Sequence, residues 1–175
     1  THTLPGTLPS RIEGTRMRES ISLMKERNVD GFIIFSVDLS DDEINLIKNN
    51  NIPCVLLSAD TVKGDIPFIK VNDEEAIADA TSYLIKRGCK KLALIGVNPA
   101  DRIAGKARIV GFKNALASQQ LIFSNKDIYV GDYGFDSGKE NMEEIIQGEL
   151  NYDGIVCASD ETALGVMSAC SAAGS

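Results

Sequence analysis

The second half of the chain alternates short apolar runs with segments of helical periodicity, and this alternation constrains the fold more than any other feature. Apolar runs predict strands over residues 92–96, 128–131 and 153–158, and helices are expected over 105–118, over 136–147 and from 160 onward. Strands and amphipathic helices in this order predict a parallel sheet with right-handed crossovers, covered by helices on both faces. We therefore predict an α/β fold.

The first part of the chain begins with the same rhythm and then breaks it. We expect a helix over 11–27, a buried strand over 31–35, and a second helix that starts at Ser40 and ends near Asn50. Strands follow over 54–57 and 68–71 with no helix between them, so we place a lobe boundary at residues 70 and 71. The acidic residues 73–75 open the next helix, and Gly88 follows its end. The face of that helix predicted to be buried carries Ala76, Ile77, Ala80, Tyr83 and Leu84.

Charge and hydropathy limit the partners of such a chain. The 18 basic and 25 acidic residues give a net charge of -7, the wrong sign for holding a nucleic-acid backbone. No apolar run approaches the ~20 residues that span a bilayer, and the first residues lack the pattern of a signal peptide. We expect a cytoplasmic protein without a membrane segment.

Residues that could carry catalysis or hold a cofactor are sparse. The only histidine, His2, lies in a Pro-, Gly- and Thr-rich leader over residues 1–10 that should be irregular, which argues against a Ser-His-Asp group. The cysteines fit buried structural thiols better than a redox or metal site, and they are Cys54, Cys89, Cys157 and Cys170. No strand is followed by a glycine-rich nucleotide motif. We expect no catalytic residue, no metal and no cofactor.

Polar side chains at the carboxyl ends of the predicted strands form the candidate site. Ser159 and Asp160 follow a strand and start a helix, so they are either helix caps or ligand contacts at the crevice of an α/β sheet. Arg108 lies in the first turn of its helix and is either a solvated charge or a fork for two acceptors. Tyr133 and Phe135 offer flat faces that suit a sugar ring or a base, or they anchor a small core. Together these residues favour binding a small polyhydroxylated ligand over catalysis.

Several motifs in the right order resemble the ligand-sensing core of the lactose/galactose repressor family of bacterial transcription regulators. The matching stretches are residues 29–34, 71–75, 84–96, 108–112, 131–133 and 158–165. The resemblance implies a periplasmic-binding-protein type I fold, in which two Rossmann-like α/β lobes flank an effector cleft. Residues 1–70 would then be a partial N-terminal lobe and residues 71–175 the C-terminal lobe, with the DNA-binding headpiece absent.

The resemblance also assigns roles to individual residues. Arg108 and Asp160 match residues that bind effector hydroxyls or carboxylates, and Tyr133 matches an aromatic residue that stacks on the effector. Ser159 replaces the usual asparagine, and Glu75 falls near a cleft position that is often acidic. Ala104 departs from the Ser or Thr that is common at its position.

The implied function is that of an effector-binding core of a homodimeric regulator. A small polar molecule, a sugar or a sugar derivative, would bias closure of the lobes, and closure would be transmitted to a headpiece that contacts DNA. A solute-binding protein for sugar uptake is the alternative, because it shares the fold. An α/β enzyme would require a catalytic constellation that the sequence lacks.

Overall fold

The computed structural model describes residues 14–35, 38–51, 53–62 and 66–174. The predicted leader over residues 1–10, including His2, and the first residues of the predicted first helix lie outside these ranges. The chain divides into two compact units, residues 1–70 and 71–175.

The first unit is a small parallel α/β arrangement. Its elements are α1 (Gly14–Glu26), β1 (Phe32–Phe35), α2 (Asp41–Asn49), β2 (Cys54–Leu57) and β3 (Phe68–Ile69), and the strands pair in the order β1-β2-β3. Helix α2 begins where the sequence predicts. The Glu43 N–H donates to Ser40 Oγ at 3.4 Å and the Ser40 N–H donates to Glu43 Oε2 at 2.8 Å, which satisfies two N–H groups at the helix start.

The buried strand predicted over 31–35 forms over Phe32–Phe35, but the sheet of the first unit buries only one face among the described residues. Phe32 and Ile34 are buried, whereas Ile33 and Phe35 are 79% and 56% exposed. The described part of this unit has two helices, α1 and α2, which pack against each other. A single layer of helices can cover only one face of a sheet. An apolar run cannot distinguish a strand covered on one face from one covered on both.

The second unit follows the predicted alternation closely. Its elements are α3 (Asp73–Lys86), β4 (Leu92–Val97), α4 (Gly105–Ser118), a 3-10 turn (Asn125–Asp127), β5 (Ile128–Val130), α5 (Phe135–Gln147), β6 (Gly154–Cys157) and α6 (Asp160–Ala173). The strands are parallel in the order β5-β4-β6, and every residue of the central strand β4 is buried. The predicted parallel sheet is confirmed.

Helices cover both faces of this second sheet, as predicted. On one face Phe112 and Leu116 of α4 pack with Leu92 and Leu94 of β4 and with Val156 of β6. On the other face Ile145 of α5 and Val166 of α6 pack with Ala93 and Ile95 of β4 and with Tyr129 of β5. The two layers hold the carboxyl ends of the strands in fixed positions.

The buried face of α3 differs from the prediction. Ile77 is buried as expected, but Ala76, Ala80 and Tyr83 are exposed, and Thr81 is fully buried. The Thr81 hydroxyl donates to the Ile77 carbonyl at 2.7 Å, so a polar side chain occupies the core without an unpaired group. Apolar periodicity could not identify a face that is partly built from threonine.

A glycine ends the regular pairing of β4 and orients the loop after β5. The register with β5 shifts between Ile95 and Val97, and Gly96 has a φ of 83°. The shift places Val97 in the same core cluster as Leu94, which strict alternation would not do. The Gly96 carbonyl accepts the Tyr133 N–H at 3.1 Å, so this irregularity ties the end of β4 to the loop that carries Tyr133.

Two glycines with positive φ allow the packing at this point to be tested. At Gly96 a Cβ would lie 2.5 Å from Thr162 Cγ2, whereas at Gly88, with a φ of 103°, nothing lies within 4 Å. Gly88→Ala should therefore cost only the left-handed strain of about 1 kcal/mol, and Gly96→Ala should cost about 1–3 kcal/mol more. Urea unfolding of both variants measures the difference, and equal losses would contradict the described packing against Thr162.

Candidate functional site

Three loops meet at the carboxyl edge of the second sheet around the side chain of Arg108. The guanidinium carbon lies 5.2 Å from the centroid of the Tyr133 ring, within the range of a cation–π contact. Its Nη1 donates to the Ala158 carbonyl at 2.6 Å. The structure thus brings together side chains that follow β4 and β5 with the backbone that follows β6.

Arg108 is also paired with a carboxylate that the sequence did not single out as a site residue. Its Nε donates to Asp73 Oδ1 at 3.0 Å, and its Nη2 lies 2.9 Å from the same oxygen. The two side chains are 24% and 11% exposed, so this is a largely buried pair. Asp73 was interpreted only as part of an acidic helix start, because a pairing across 35 positions leaves no local signal.

Glu75, the acidic residue that the resemblance indicates, has a different partner. Its carboxylate accepts from Asn72 Nδ2 at 3.0 Å, and its N–H donates to Asn72 Oδ1 at 3.3 Å. Its side chain is exposed at the start of α3. It is Asp73, two positions earlier, that meets Arg108.

Tyr133, in the loop after β5, has a left-handed backbone conformation and is held by hydrogen bonds through its hydroxyl and its carbonyl. Its φ is 68°, its hydroxyl donates to Asp101 Oδ2 at 2.5 Å, and its carbonyl accepts from Ser159 Oγ at 2.5 Å. Burial and the hydrogen bond to Asp101 raise the pKa of the phenol well above its usual range. The hydroxyl therefore stays protonated at neutral pH and acts as a donor.

Asp101 caps α4 from outside the helix and was missed by sequence reasoning. It accepts the N–H groups of Ile103 at 2.8 Å, Ala104 at 3.3 Å and Gly105 at 3.2 Å. Ala104, at the N-cap position, makes no side-chain cap bond, and Asp101 takes over that task. The sequence did contain one indication of this role: an aspartate lies shortly before a helix whose own N-cap residue, alanine, cannot accept a hydrogen bond through its side chain.

The carboxylate of Asp101 makes stability depend on acid pH. Burial raises its pKa, but the hydrogen bonds from Tyr133 and the three backbone N–H groups outweigh burial and lower the pKa below its usual value. A lowered folded pKa stabilises the fold above the unfolded value of about 3.9, and this contribution is lost as pH falls through the folded value.

Asp101→Asn should therefore be less stable than the unsubstituted chain at pH 7, with the difference shrinking below about pH 4. Urea midpoints from pH 7 to pH 2 measure this dependence, with the exposed Asp79→Asn on α3 as a control of equal charge change. A difference that stays constant with pH would contradict the role of the Asp101 carboxylate.

Ser159 acts as a helix cap, whereas the ligand contact predicted for Asp160 stays a prediction. Ser159 is the N-cap of α6, where its Oγ accepts the Thr162 N–H at 3.0 Å. Asp160 is the first residue of α6; its side chain is exposed, and Oδ1 accepts the Glu161 N–H at 3.1 Å. The Ser159 hydroxyl is engaged within the protein, whereas the Asp160 carboxylate faces solvent.

Phe135 begins α5 and is 42% exposed. Its carbonyl oxygen packs against Gly165 of α6. A Cβ added to Gly165 would lie 2.0 Å from this oxygen, so only glycine fits there. The residue therefore marks the close contact between α5 and α6, beside the loop that carries Tyr133.

The groups at this edge are suited to holding a polar molecule. Arg108 supplies a planar donor fork, Asp160 an exposed acceptor and Tyr133 an aromatic ring. Within residues 14–35, 38–51, 53–62 and 66–174, no group of His, Cys, Asp and Glu could hold a metal ion. In the same part of the chain, no helix has the length and apolar character needed to cross a bilayer.

Comparison with known proteins identifies the family. Residues 9–175 match the family described as periplasmic binding proteins and sugar binding domain of LacI family. The chain belongs to this family, and it is an effector-binding domain of LacI-type transcriptional regulators. The predicted resemblance and fold class are confirmed.

Individual relatives are transcriptional regulators. The chain is 28% identical over 160 residues to the HTH-type transcriptional regulator RegA of Clostridium saccharobutylicum, covering 91% of this chain and 48% of the relative. It is 30% identical over 144 residues to catabolite control protein A of Priestia megaterium, covering 82% and 43%. A transcription regulator from Lactobacillus plantarum has a similar structure, with a TM-score of 0.84, 29% identity, and coverage of 91% of this chain and 60% of that one. The chain spans about half the length of these curated relatives.

Proposed function

We propose that the chain senses a small polar effector, a sugar or a sugar derivative, at the carboxyl edge of its second sheet, and that it does so as part of a regulator that binds DNA. The cluster of Arg108, Tyr133 and Ala158 supports this proposal more than any other observation. A guanidinium held by protein contacts before ligand arrives loses little conformational freedom on binding. Asp160, exposed at the start of α6, supplies a complementary acceptor for hydroxyl protons.

The site is a sensor and not a catalytic centre. The Tyr133 hydroxyl donates to the Asp101 carboxylate, but burial and this bond raise the pKa of the phenol, so it is not activated as a nucleophile. The Ser159 hydroxyl donates to the Tyr133 carbonyl, which is too weak a base to activate it. In the complete gene product, effector binding would act on a DNA-binding headpiece in a homodimer. The names of two similar proteins support this role, because RegA is called an HTH-type transcriptional regulator and the protein from Lactobacillus plantarum a transcription regulator.

A thermal-shift screen of the complete gene product against sugars, sugar phosphates, sugar acids and nucleobases tests the proposal. A ligand at 100 times its Kd should stabilise the folded state by about 2.7 kcal/mol, which raises the melting temperature by several degrees. Absence of a saturable shift with every compound would contradict the proposed sensing function.

Coupling to DNA is tested separately with the compounds that bind. The gene product should bind DNA from upstream of its own gene, and a compound that binds the site should change that affinity. Sedimentation at the same concentrations should give the mass of a dimer. Effector binding that leaves DNA affinity unchanged would contradict the regulatory part of the proposal.

A further inference from the structure

The charge of Arg108 is already balanced within the protein. Asp73 contacts two of its nitrogens through one carboxylate oxygen, and the Ala158 carbonyl accepts from a third. A guanidinium has five N–H donors, so these contacts leave donors for a ligand but little uncompensated positive charge. An anionic ligand would have to compete with Asp73, whereas a hydroxyl oxygen can accept from the remaining donors without doing so.

Three helix N-termini at this edge, those of α3, α4 and α6, are capped by the protein's own oxygen atoms, whereas Gly134 at the start of α5 makes no side-chain cap bond. Free N–H groups at a helix start form the usual binding site for phosphate. At α4, Asp101 accepts the N–H of Gly105, the first residue of the helix, and those of Ile103 and Ala104 just before it. At α3, Asn72 accepts the N–H of Glu75. At α6, Ser159 and Asp160 accept the N–H groups of Thr162 and Glu161.

The charged side chains at this edge, taken together, are mostly acidic. The segments that lie here, residues 72–75, 97–108, 131–137 and 158–162, hold three basic and eight acidic residues. The basic residues are Arg102, Lys106 and Arg108, and the acidic residues are Asp73, Glu74, Glu75, Asp101, Asp132, Asp136, Asp160 and Glu161. The field of these groups opposes the approach of an anion.

We propose that Asp73 makes this site selective for an uncharged, hydroxyl-rich effector and excludes sugar phosphates and sugar acids. This inference rests on the proposed sensing function and narrows it to one chemical class. A neutral hydroxyl can accept from Arg108 and donate to Asp160, whereas a phosphate or carboxylate at neutral pH offers acceptors to a site that is already rich in them. Asp73 is a specificity-determining residue because it sets the charge that a ligand meets at Arg108.

Matched pairs of compounds test the inference on the complete gene product. Calorimetry would compare glucose, galactose and ribose with glucose 6-phosphate, galactose 6-phosphate, ribose 5-phosphate, glucuronate and galacturonate. In the unsubstituted protein, the neutral member of the pair that binds best should bind at least about tenfold more tightly than its anionic partner. The ratio should shrink when salt is raised from 20 to 300 mM, because salt screens exposed charges.

Asp73→Asn keeps an oxygen for Arg108 but removes the negative charge. It should reduce the discrimination against the anionic partner by about tenfold, mainly by strengthening anion binding. Asp79→Asn makes the same chemical change at an exposed position of α3 and should leave the ratio within about twofold. The comparison separates the pairing with Arg108 from the overall change in charge.

The possible outcomes separate failure of the charge selectivity from failure of the sensing function. Equal or tighter binding of the anionic partner by the unsubstituted protein would overturn the charge selectivity and leave the sensing function standing. Selectivity that Asp73→Asn and Asp79→Asn change equally would overturn the role of Asp73. Failure of every compound to bind, here and in the wider screen, would overturn the sensing function itself.

Discussion

Arg108→Ala should weaken effector binding by at least about 30-fold, because it removes the donor fork and deprives two protein acceptors of the hydrogen bonds it donates. Asp73 and the Ala158 carbonyl both accept from this guanidinium. Removing one member of a largely buried pair removes the positive charge that compensates the other, so the variant should also lose about 1–3 kcal/mol of folding stability. Calorimetry with a compound identified in the screen measures the affinity, and urea unfolding measures the stability.

Lys106→Ala is the matched control for this loss. Lys106 lies on the same first turn of α4 and is exposed, so its removal changes net charge by the same amount. Its affinity should stay within about threefold of the unsubstituted protein, because exposed charges are screened. Equal losses in the two variants would show that the effect is a general one of charge and would contradict a specific role for Arg108.

Phe112→Ala should lower the free energy of unfolding of the second unit by about 3–5 kcal/mol. Phe112 is fully buried and packs with Leu94, Leu116 and Val156 in the layer between α4 and the sheet. Truncating its ring removes apolar contacts and leaves a cavity that surrounding strands cannot easily fill. Urea unfolding followed by circular dichroism measures the change.

Phe135→Ala deletes the same ring from a position that is 42% exposed. Its loss should be about 1 kcal/mol, because much less apolar surface is buried there. Comparable losses at the two positions would contradict the placement of Phe112 at the centre of this layer. Effector affinity of Phe135→Ala also tests the binding role predicted for that residue.

The sheet of the second unit could be predicted from the sequence because each strand and helix is marked by residues within its own segment. Apolar runs at 92–96 and 128–131 mark strands, and helix starts such as Asp160 carry cap residues beside them. The order of these elements then determines a parallel sheet through general rules of chain connection. Arg108, Tyr133 and Ser159 could be predicted as neighbours for the same reason, since strand ends share one edge.

Features that depend on pairing between distant residues could not be predicted in this way. Asp73 and Asp101 each look like an ordinary acidic residue near a helix start, and only the folded chain shows that they bind Arg108 and Tyr133. The buried Thr81 and the exposed face of β1 depend equally on which neighbours are present. Composition and periodicity describe the segment in which a residue lies, and they do not indicate which distant residue it contacts.

A crystal structure of the complete gene product with a neutral sugar identified in the screen would examine the site itself. We expect the sugar to lie at the carboxyl edge of the β5-β4-β6 sheet, with hydroxyl groups bonded to Arg108 and Asp160 and with the Arg108–Asp73 pair retained. A sugar bound elsewhere, with Arg108 and Asp160 both facing solvent, would contradict the proposed binding site.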